Sequence, residues 1–135
     1  MIKEVPHPDR LKAPLARRAA ARVLIVEDDA LAAEALQMNL EDAGYGTVAP
    51  AESVQAALTS LERHAVDAAL LDIHLRGELV FPVADELAAR GVPFVFVTSQ
   101  RRSTIPSRHR DRPVVAKPFQ DQELLSGLAQ ALGSG

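Results

Sequence analysis

Two apolar runs that end on carboxylates constrain the fold of this chain more than any other feature. The run 68–71 is followed by Asp72, and the run 23–26 is followed by Glu27, Asp28 and Asp29. Short runs of small and aliphatic residues closed by a charge are typical of strands buried on both faces of a sheet. We therefore expect these carboxylates to lie at a rim of the sheet, where each strand ends.

Two later apolar runs end on other polar residues, Thr98 and Lys117. In an open parallel sheet, ligands bind in the crevice beyond the carboxyl ends of the strands. Four strand ends thus deliver the acids Glu27, Asp28 and Asp72, together with a hydroxyl and an ammonium group, to one place.

Helical patterns alternate with these strand patterns. Strands are predicted at about 22–27, 46–51, 66–72, 92–98 and 114–116, and helices at about 28–43, 52–63, 82–90 and 120–132. Such alternation predicts a parallel sheet wrapped on both faces by helices. The predicted fold class is α/β, a doubly wound five-stranded parallel sheet with the flavodoxin-like order 2-1-3-4-5, by analogy with domains of this size.

The connection between the fourth and fifth strands departs from the pattern. Residues 99–112 are strongly basic, contain Pro106 and have few apolar residues, so at most a turn or two of helix is expected there. We predict a degenerate fourth helix. The segment is interpreted either as a solvated loop or as a mobile signalling surface.

The 135 residues fit one domain. We expect a basic leader over residues 1–21, either flexible or with a short helix over 15–21, then the domain over 22–132 and a frayed tail or linker over 133–135. No output domain is expected after residue 132.

Composition excludes several function classes. There are no cysteines, so thiol catalysis and thiolate zinc sites are excluded, and the net charge of −3 offers no general attraction to nucleic acid or anionic membrane. No apolar run approaches the roughly 20 residues of a membrane span, and no signal peptide is evident. A cytoplasmic protein that binds neither nucleic acid nor membrane is expected.

The grouped polar residues indicate phosphoryl chemistry. Carboxylates that stay ionised close together imply a bound cation or a nearby base, and oxygen ligands favour a hard ion such as Mg²⁺. Lys117 and Thr98 supply a charge and a hydroxyl donor, which suit phosphoryl oxygens. An acid nucleophile, a divalent ion, a lysine and a hydroxyl are the parts needed to form an aspartyl phosphate.

These positions resemble the signature of response-regulator receiver domains. The resemblance covers about residues 22–132 and rests on Val26-Glu27-Asp28-Asp29, Leu70-Leu71-Asp72, Val97-Thr98 and Ala116-Lys117-Pro118-Phe119, in this order and at these spacings. A narrower likeness is to the FAT GUY branch of single-domain response regulators, through Pro93-Phe94-Val95-Phe96-Val97-Thr98. Val114 stands where ordinary receivers have a Tyr or Phe switch residue, so the predicted output route uses no aromatic switch.

The resemblance implies a role for each site residue. Asp72 would be the phosphoacceptor, Asp28 and Asp72 would ligate Mg²⁺ directly, Glu27 would act through metal-bound water, and His74 would contribute its backbone carbonyl. Thr98 would bond the phosphoryl group and Lys117 would pair with it. The Lys117-Pro118 peptide would be cis, and Asp29 is expected to cap the first helix rather than to bind metal.

The function implied is that of a two-component phosphorelay response regulator. The chain would accept a phosphoryl group from a histidine kinase or histidine phosphotransfer protein and signal to an unknown downstream protein by contact, as a monomer or weak dimer. It would catalyse only its own phosphorylation and dephosphorylation and would otherwise not be an enzyme. The alternatives are a phosphorylation-independent pseudo-receiver scaffold and a Mg²⁺-dependent phosphatase with an aspartyl nucleophile, which would normally have a second acid where His74 stands.

Overall fold

A five-stranded parallel sheet forms the centre of the molecule. The computed structural model describes residues 21–99 and 104–134. The strands are β1 (Arg22–Val26), β2 (Gly46–Thr47), β3 (Ala68–Asp72), β4 (His74–Leu75), β5 (Glu78–Leu79), β6 (Phe94–Thr98) and β7 (Val114–Ala116). The main sheet has the order β2-β1-β3-β6-β7, while β4 and β5 form a separate antiparallel hairpin. Because β6 and β7 are the fourth and fifth strands of the main sheet, the predicted order 2-1-3-4-5 is confirmed.

Helices cover both faces of this sheet. They are α1 (Ala30–Asp42), α2 (Val54–Arg63), α3 (Phe81–Ala89) and α4 (Asp121–Ser134), with a 3-10 turn at Ser107–His109. The helices α1 and α4 pack on one face, through residues such as Leu36 and Leu128, and α2 and α3 pack on the other, through Leu61 and Leu87. The doubly wound fold class is therefore confirmed, and residues 104–113 of the connection between β6 and β7 contain no α-helix, as the degenerate fourth helix predicts.

The start and end of α1 follow from local chemistry. The side chain of Asp29 accepts hydrogen bonds from the backbone N–H groups of Leu31 and Ala32, which have no partner within the helix. Gly44 follows the helix with a φ of 97°, a conformation that glycine adopts without a Cβ clash. Both ends were predicted from the sequence, and the capping role of Asp29 is confirmed.

Several boundaries differ from the prediction. The strand β2 is only two residues long, Gly46 and Thr47, which pair with β1. Pro50 has no backbone N–H to continue the ladder. Ala51 then forms an isolated bridge to Val26. The helix α4 continues to Ser134, beyond the predicted end at 132. The expected leader lies outside the described residues except for the buried Ala21.

The basic connection between β6 and β7 is packed onto the domain over its described part. Ile105 is 1% exposed and His109 is 3% exposed, and both lie close to the core. His109 contacts the ring edges of Phe94 and Phe96, and the guanidinium of Arg112 lies 4.3 Å from the centre of the Phe94 ring. Five of the nine residues 104–112 are exposed, as a solvated loop predicts, but Ile105 and His109 are buried because the aromatic residues of β6 give them an apolar surface to cover.

Within the described part of the chain, none of the helices combines the length and hydrophobicity that crossing a bilayer requires.

Candidate functional site

The polar residues predicted to meet do meet at one edge of the sheet. The strands β1, β3, β6 and β7 run parallel, so their carboxyl ends lie side by side. Glu27 and Asp28 follow β1, Asp72 ends β3, Thr98 ends β6 and Lys117 follows β7. The register places Asp72 opposite Val97, the residue before Thr98.

Lys117 connects two of the three acids. Its Nζ lies 3.1 Å from Glu27 Oε1 and 3.1 Å from Asp72 Oδ2 and donates a hydrogen bond to each. Its backbone N–H donates to the carbonyl oxygen of Thr98 at 2.8 Å, which fixes the end of β7 against the end of β6. The Lys117-Pro118 peptide is cis, as the resemblance implied.

Burial and hydrogen bonding together shift the pKa values of Glu27 and Lys117. Burial raises the pKa of Glu27, and hydrogen bonds from the Asp29 backbone and from Lys117 offset that rise only in part. Burial also works to lower the pKa of Lys117, but the hydrogen bonds with Asp72 and Glu27 outweigh it and leave that pKa raised. The lysine thus stays charged at neutral pH and serves as the counter-cation of two carboxylates.

The three acids fit a hard divalent cation. One carboxylate oxygen from each of Glu27, Asp28 and Asp72 lies within 4.8 Å of the others. In proteins, Mg²⁺ is usually bound through oxygen ligands that include one or two carboxylates, and it keeps several waters. Glu27 is buried, whereas Asp28 and Asp72 are partly exposed to solvent, so these two are more accessible to an ion.

His74 and Thr98 flank the phosphoacceptor candidate in different ways. The backbone N–H of His74 donates to Asp72 Oδ1 at 3.3 Å, so its backbone lies against the carboxylate while its side chain is exposed. Thr98 ends β6 and is 1% exposed, so it is a buried rather than an exposed strand end. Val114, at the position where other receivers carry an aromatic, is intermediate in exposure and pairs with Phe96 across the sheet.

Sequence reasoning missed the hairpin β4–β5 and its contact with Asp28. The backbone N–H of Arg76 donates to Asp28 Oδ2 at 2.9 Å, and its guanidinium donates to the Asp28 carbonyl oxygen at 3.3 Å. The residues Arg76-Gly77-Glu78 by themselves indicate only a turn. The sequence carries no signal for a contact between residues 48 positions apart, because the folding of the turn back over β1 depends on tertiary packing.

An apolar groove beside the site was also not predicted. It has a volume of about 590 Å³ and lies between α1 and the segment that follows β7. Its apolar wall includes Ala32, Ala35, Leu36 and Phe119, and Glu27 and Lys117 also line it. The groove thus joins an apolar surface directly to the acidic pocket.

Comparisons with known proteins agree with this geometry. Residues 23–129 match the family model described as the response regulator receiver domain. The transcriptional regulatory protein PdtaR of Mycobacterium tuberculosis is 30% identical over 115 residues, which are 82% of this chain and 56% of that protein. The chain thus spans about half the length of the curated relatives that it matches.

Solved structures add closer similarity. The solution structure of SdrG from Sphingomonas melonis Fr1 is 43% identical with a TM-score of 0.74, covering 84% of this chain and 98% of that one. A BeF3-activated conformation of SdrG superposes with a TM-score of 0.71 at 43% identity, covering 82% of this chain and 95% of that one. The response regulator PhyR from Brucella abortus is 27% identical with a TM-score of 0.73, covering 93% of this chain and 53% of that one. The similarity to SdrG and PhyR is consistent with the resemblance to the FAT GUY branch that the residues around Thr98 indicated.

Proposed function

The chain belongs to the response regulator receiver domain family, and we propose that it accepts a phosphoryl group on Asp72 from a phosphohistidine donor and signals by protein contact. The observation that carries the proposal is the placement of Asp72 at the end of β3, hydrogen-bonded to Lys117 and grouped with Glu27 and Asp28. A carboxylate in this setting can attack phosphorus while the surrounding charges neutralise the phosphoryl oxygens.

In the proposed reaction, one carboxylate oxygen of Asp72 forms a bond to phosphorus. The bond between phosphorus and the donor imidazole breaks, and its electron pair leaves with the imidazole. Lys117 keeps its proton and transfers its hydrogen bonding from the carboxylate to a phosphoryl oxygen. The hydroxyl of Thr98, which lies on the adjacent strand end, donates to another phosphoryl oxygen.

We propose Mg²⁺ as the cofactor, which when bound would neutralise charge that develops on the phosphoryl oxygens. Asp28 and Asp72 would bind it directly, Glu27 through water, and His74 through its backbone carbonyl. The all-oxygen composition of the acid group and its spacing support this assignment. The burial of Glu27 favours an outer role, since Asp28 and Asp72 are the more accessible carboxylates.

The apolar groove supports a protein donor. It is lined by residues of α1, by the segment after β7 and by Glu27 and Lys117, so a helix lying in it would bring a side chain close to the acidic pocket. Leu31 and Met38, also on α1, are 78% and 59% exposed and extend the apolar surface beyond the groove. We propose that a helix of a histidine kinase or of a histidine phosphotransfer protein docks here.

Two features of the site argue against the alternative functions, a pseudo-receiver scaffold and an aspartyl phosphatase. A scaffold without phosphorylation has no need for a lysine shared between two acids, so the geometry does not favour a pseudo-receiver. A phosphatase of the aspartyl class would normally have a second acid at the position of the exposed His74. We therefore propose a protein that is not an enzyme toward other substrates and that acts in the cytoplasm, where its proposed donors act.

Incubation with Mg²⁺ and acetyl phosphate, followed by intact mass spectrometry, tests the proposal. We expect the mass of one phosphoryl group on the wild-type chain and none on Asp72→Asn, with circular dichroism confirming that the variant is folded. An adduct on Asp72→Asn would refute the phosphoacceptor. Wild-type protein without an adduct would indicate a scaffold, and continuous release of inorganic phosphate far above the protein concentration would indicate a phosphatase.

A further inference from the structure

Arg76 holds Asp28 through both its backbone and its side chain. The backbone N–H donates to Asp28 Oδ2 at 2.9 Å, and the guanidinium donates to the Asp28 carbonyl oxygen at 3.3 Å. Its Nε also lies 3.8 Å from Asp28 Oδ2, with the Arg76 side chain 75% exposed and that of Asp28 20% exposed. A single residue therefore places a hydrogen-bond donor and a positive charge on an acid proposed to bind metal.

The hairpin that carries Arg76 is fixed to the domain on both sides. Gly77 has a φ of 74°, which allows the tight turn between β4 and β5. The carboxylate of Glu78 accepts a hydrogen bond from the backbone N–H of Val54 at the start of α2, and the N–H of Val80 donates to Ile73. The backbone of Arg76 is thus held over Asp28 by its neighbours, whereas its long side chain is free to swing into water.

The backbone and the side chain of Arg76 affect a cation in opposite ways. The backbone N–H occupies Oδ2 and so fixes the orientation of the Asp28 carboxylate, and no described residue donates to the second oxygen, Oδ1. The guanidinium, by contrast, brings a positive charge to a carboxylate that would have to accept a divalent ion. Two cations that share one carboxylate repel each other.

We propose that Arg76 is a positioning residue of the metal site, whose guanidinium competes with the divalent cation for Asp28 and is released when the cation binds. The inference rests on the proposed function, because it needs Asp28 to be a ligand of the cation. If so, the wild-type protein binds Mg²⁺ more weakly than the same three acids would bind it without the Arg76 guanidinium. Release of the guanidinium also makes the β4–β5 hairpin responsive to the metal, since the side chain that leaves Asp28 belongs to its turn.

Mg²⁺ titration of the whole chain, followed by two-dimensional NMR of backbone amides and arginine Nε–H groups, tests the inference. We expect Arg76→Ala and Arg76→Gln to bind Mg²⁺ roughly two- to fivefold more tightly than wild type, the effect of losing one exposed ionic contact. Both variants keep the backbone N–H that orients Asp28. In wild type, the Arg76 Nε–H resonance should shift with the same midpoint as the Asp28 amide, and the difference between variants should shrink at high salt.

Arg63→Ala is the matched control, because Arg63 is an exposed arginine in the last turn of α2 and its removal changes the net charge by the same amount. Its Mg²⁺ affinity should equal that of wild type. Unchanged or weaker Mg²⁺ binding in both Arg76 variants would overturn the inference, and so would equal tightening in Arg63→Ala. If wild type itself shows no saturable Mg²⁺ binding, the proposed function falls first and the role of Arg76 falls with it.

Discussion

Lys117 and Asp72 are 45 positions apart in the chain, yet Lys117 Nζ lies 3.1 Å from Asp72 Oδ2. The same Nζ lies 3.1 Å from the buried Glu27, so one ammonium group serves two acids from different strands. Removing a partner from a buried charged group leaves that group desolvated and unpaired, which costs more than the pair itself contributes.

Replacing Lys117 should therefore destabilise the protein without metal. We expect Lys117→Gln to lower the free energy of unfolding by about 1–3 kcal/mol near neutral pH, because Glu27 and Asp72 lose their shared cation. Urea unfolding in the presence of a chelator measures the change, with Lys117→Arg as the control that keeps the charge. An equal loss in both variants would mean that side-chain shape, and not charge, accounts for the effect.

The raised pKa of Glu27 predicts a pH dependence with a definite sign. Because the folded state binds this proton more tightly than the unfolded chain, its contribution to stability is fully present below the ordinary pKa of 4.5 and is lost as pH rises through the raised value. We expect the wild-type free energy of unfolding, measured without metal, to fall over this window relative to that of Glu27→Gln. Parallel curves for the two proteins across the window would contradict the assignment.

Asp28 should matter for metal binding and its neighbour Asp29 should not. We expect Asp28→Ala to weaken Mg²⁺ binding by at least about tenfold, since it removes an oxygen that an outer carboxylate cannot replace. Asp29→Ser is the matched control, because serine keeps an oxygen to cap α1 while removing the adjacent charge. Calorimetric titration distinguishes them, and equal weakening in both would show that the effect is general electrostatics.

Asp85 should anchor the connection between β6 and β7. Its Oδ1 lies 2.7 Å from Nε2 of the buried His109, whose Nδ1 has no hydrogen-bond partner among the described residues. Arg108 also donates two hydrogen bonds to the Asp85 carboxylate, and the Arg108 hydrogen bond lowers the pKa of Asp85. The ring of His109 with its proton on Nε2 satisfies this geometry and needs no second acceptor.

We expect Asp85→Ala to leave both ring nitrogens of His109 unpaired and so to lower the free energy of unfolding by about 1–3 kcal/mol. It should also increase hydrogen exchange over residues 104–112. Glu86→Ala is the control, since Glu86 is adjacent in sequence but pairs with Arg90. Urea unfolding and hydrogen-exchange mass spectrometry measure the two effects. Exchange over 104–112 that is the same in both variants would show that the aromatic contacts alone hold the segment.

A phosphoryl mimic should change residues 99–112 more than any other part of the chain. Beryllofluoride at Asp72 adds negative charge that draws donors inward, and Thr98 immediately precedes this segment. Hydrogen exchange with and without the mimic is the measurement. A change concentrated instead on α1 or α4 would place the output on the opposite face of the sheet.

The fold class and the grouping of polar residues at one edge of the sheet could be predicted from the sequence alone. Apolar runs closed by Asp72 or by Glu27 and Asp28, alternating with helical periodicity, specify parallel buried strands, and parallel strands must bring their carboxyl ends to one edge. For that reason the meeting of Glu27, Asp72 and Lys117 could be predicted, whereas the order of the main sheet came from analogy with doubly wound domains of this size and the cap at Asp29 from its place before a helical pattern.

Only the tertiary structure decided which contacts the long polar side chains make. The bond of Arg76 to Asp28 and the pairing of His109 with Asp85 join residues from separate elements, and the residues flanking them give no periodic signal. The burial of Ile105 was likewise hidden in a basic, Pro-containing segment whose composition is typical of an exposed loop. Local patterns report whether a residue prefers water or the core, whereas the partner of a charged group depends on how helices and turns pack across the sheet, which no window of the sequence contains.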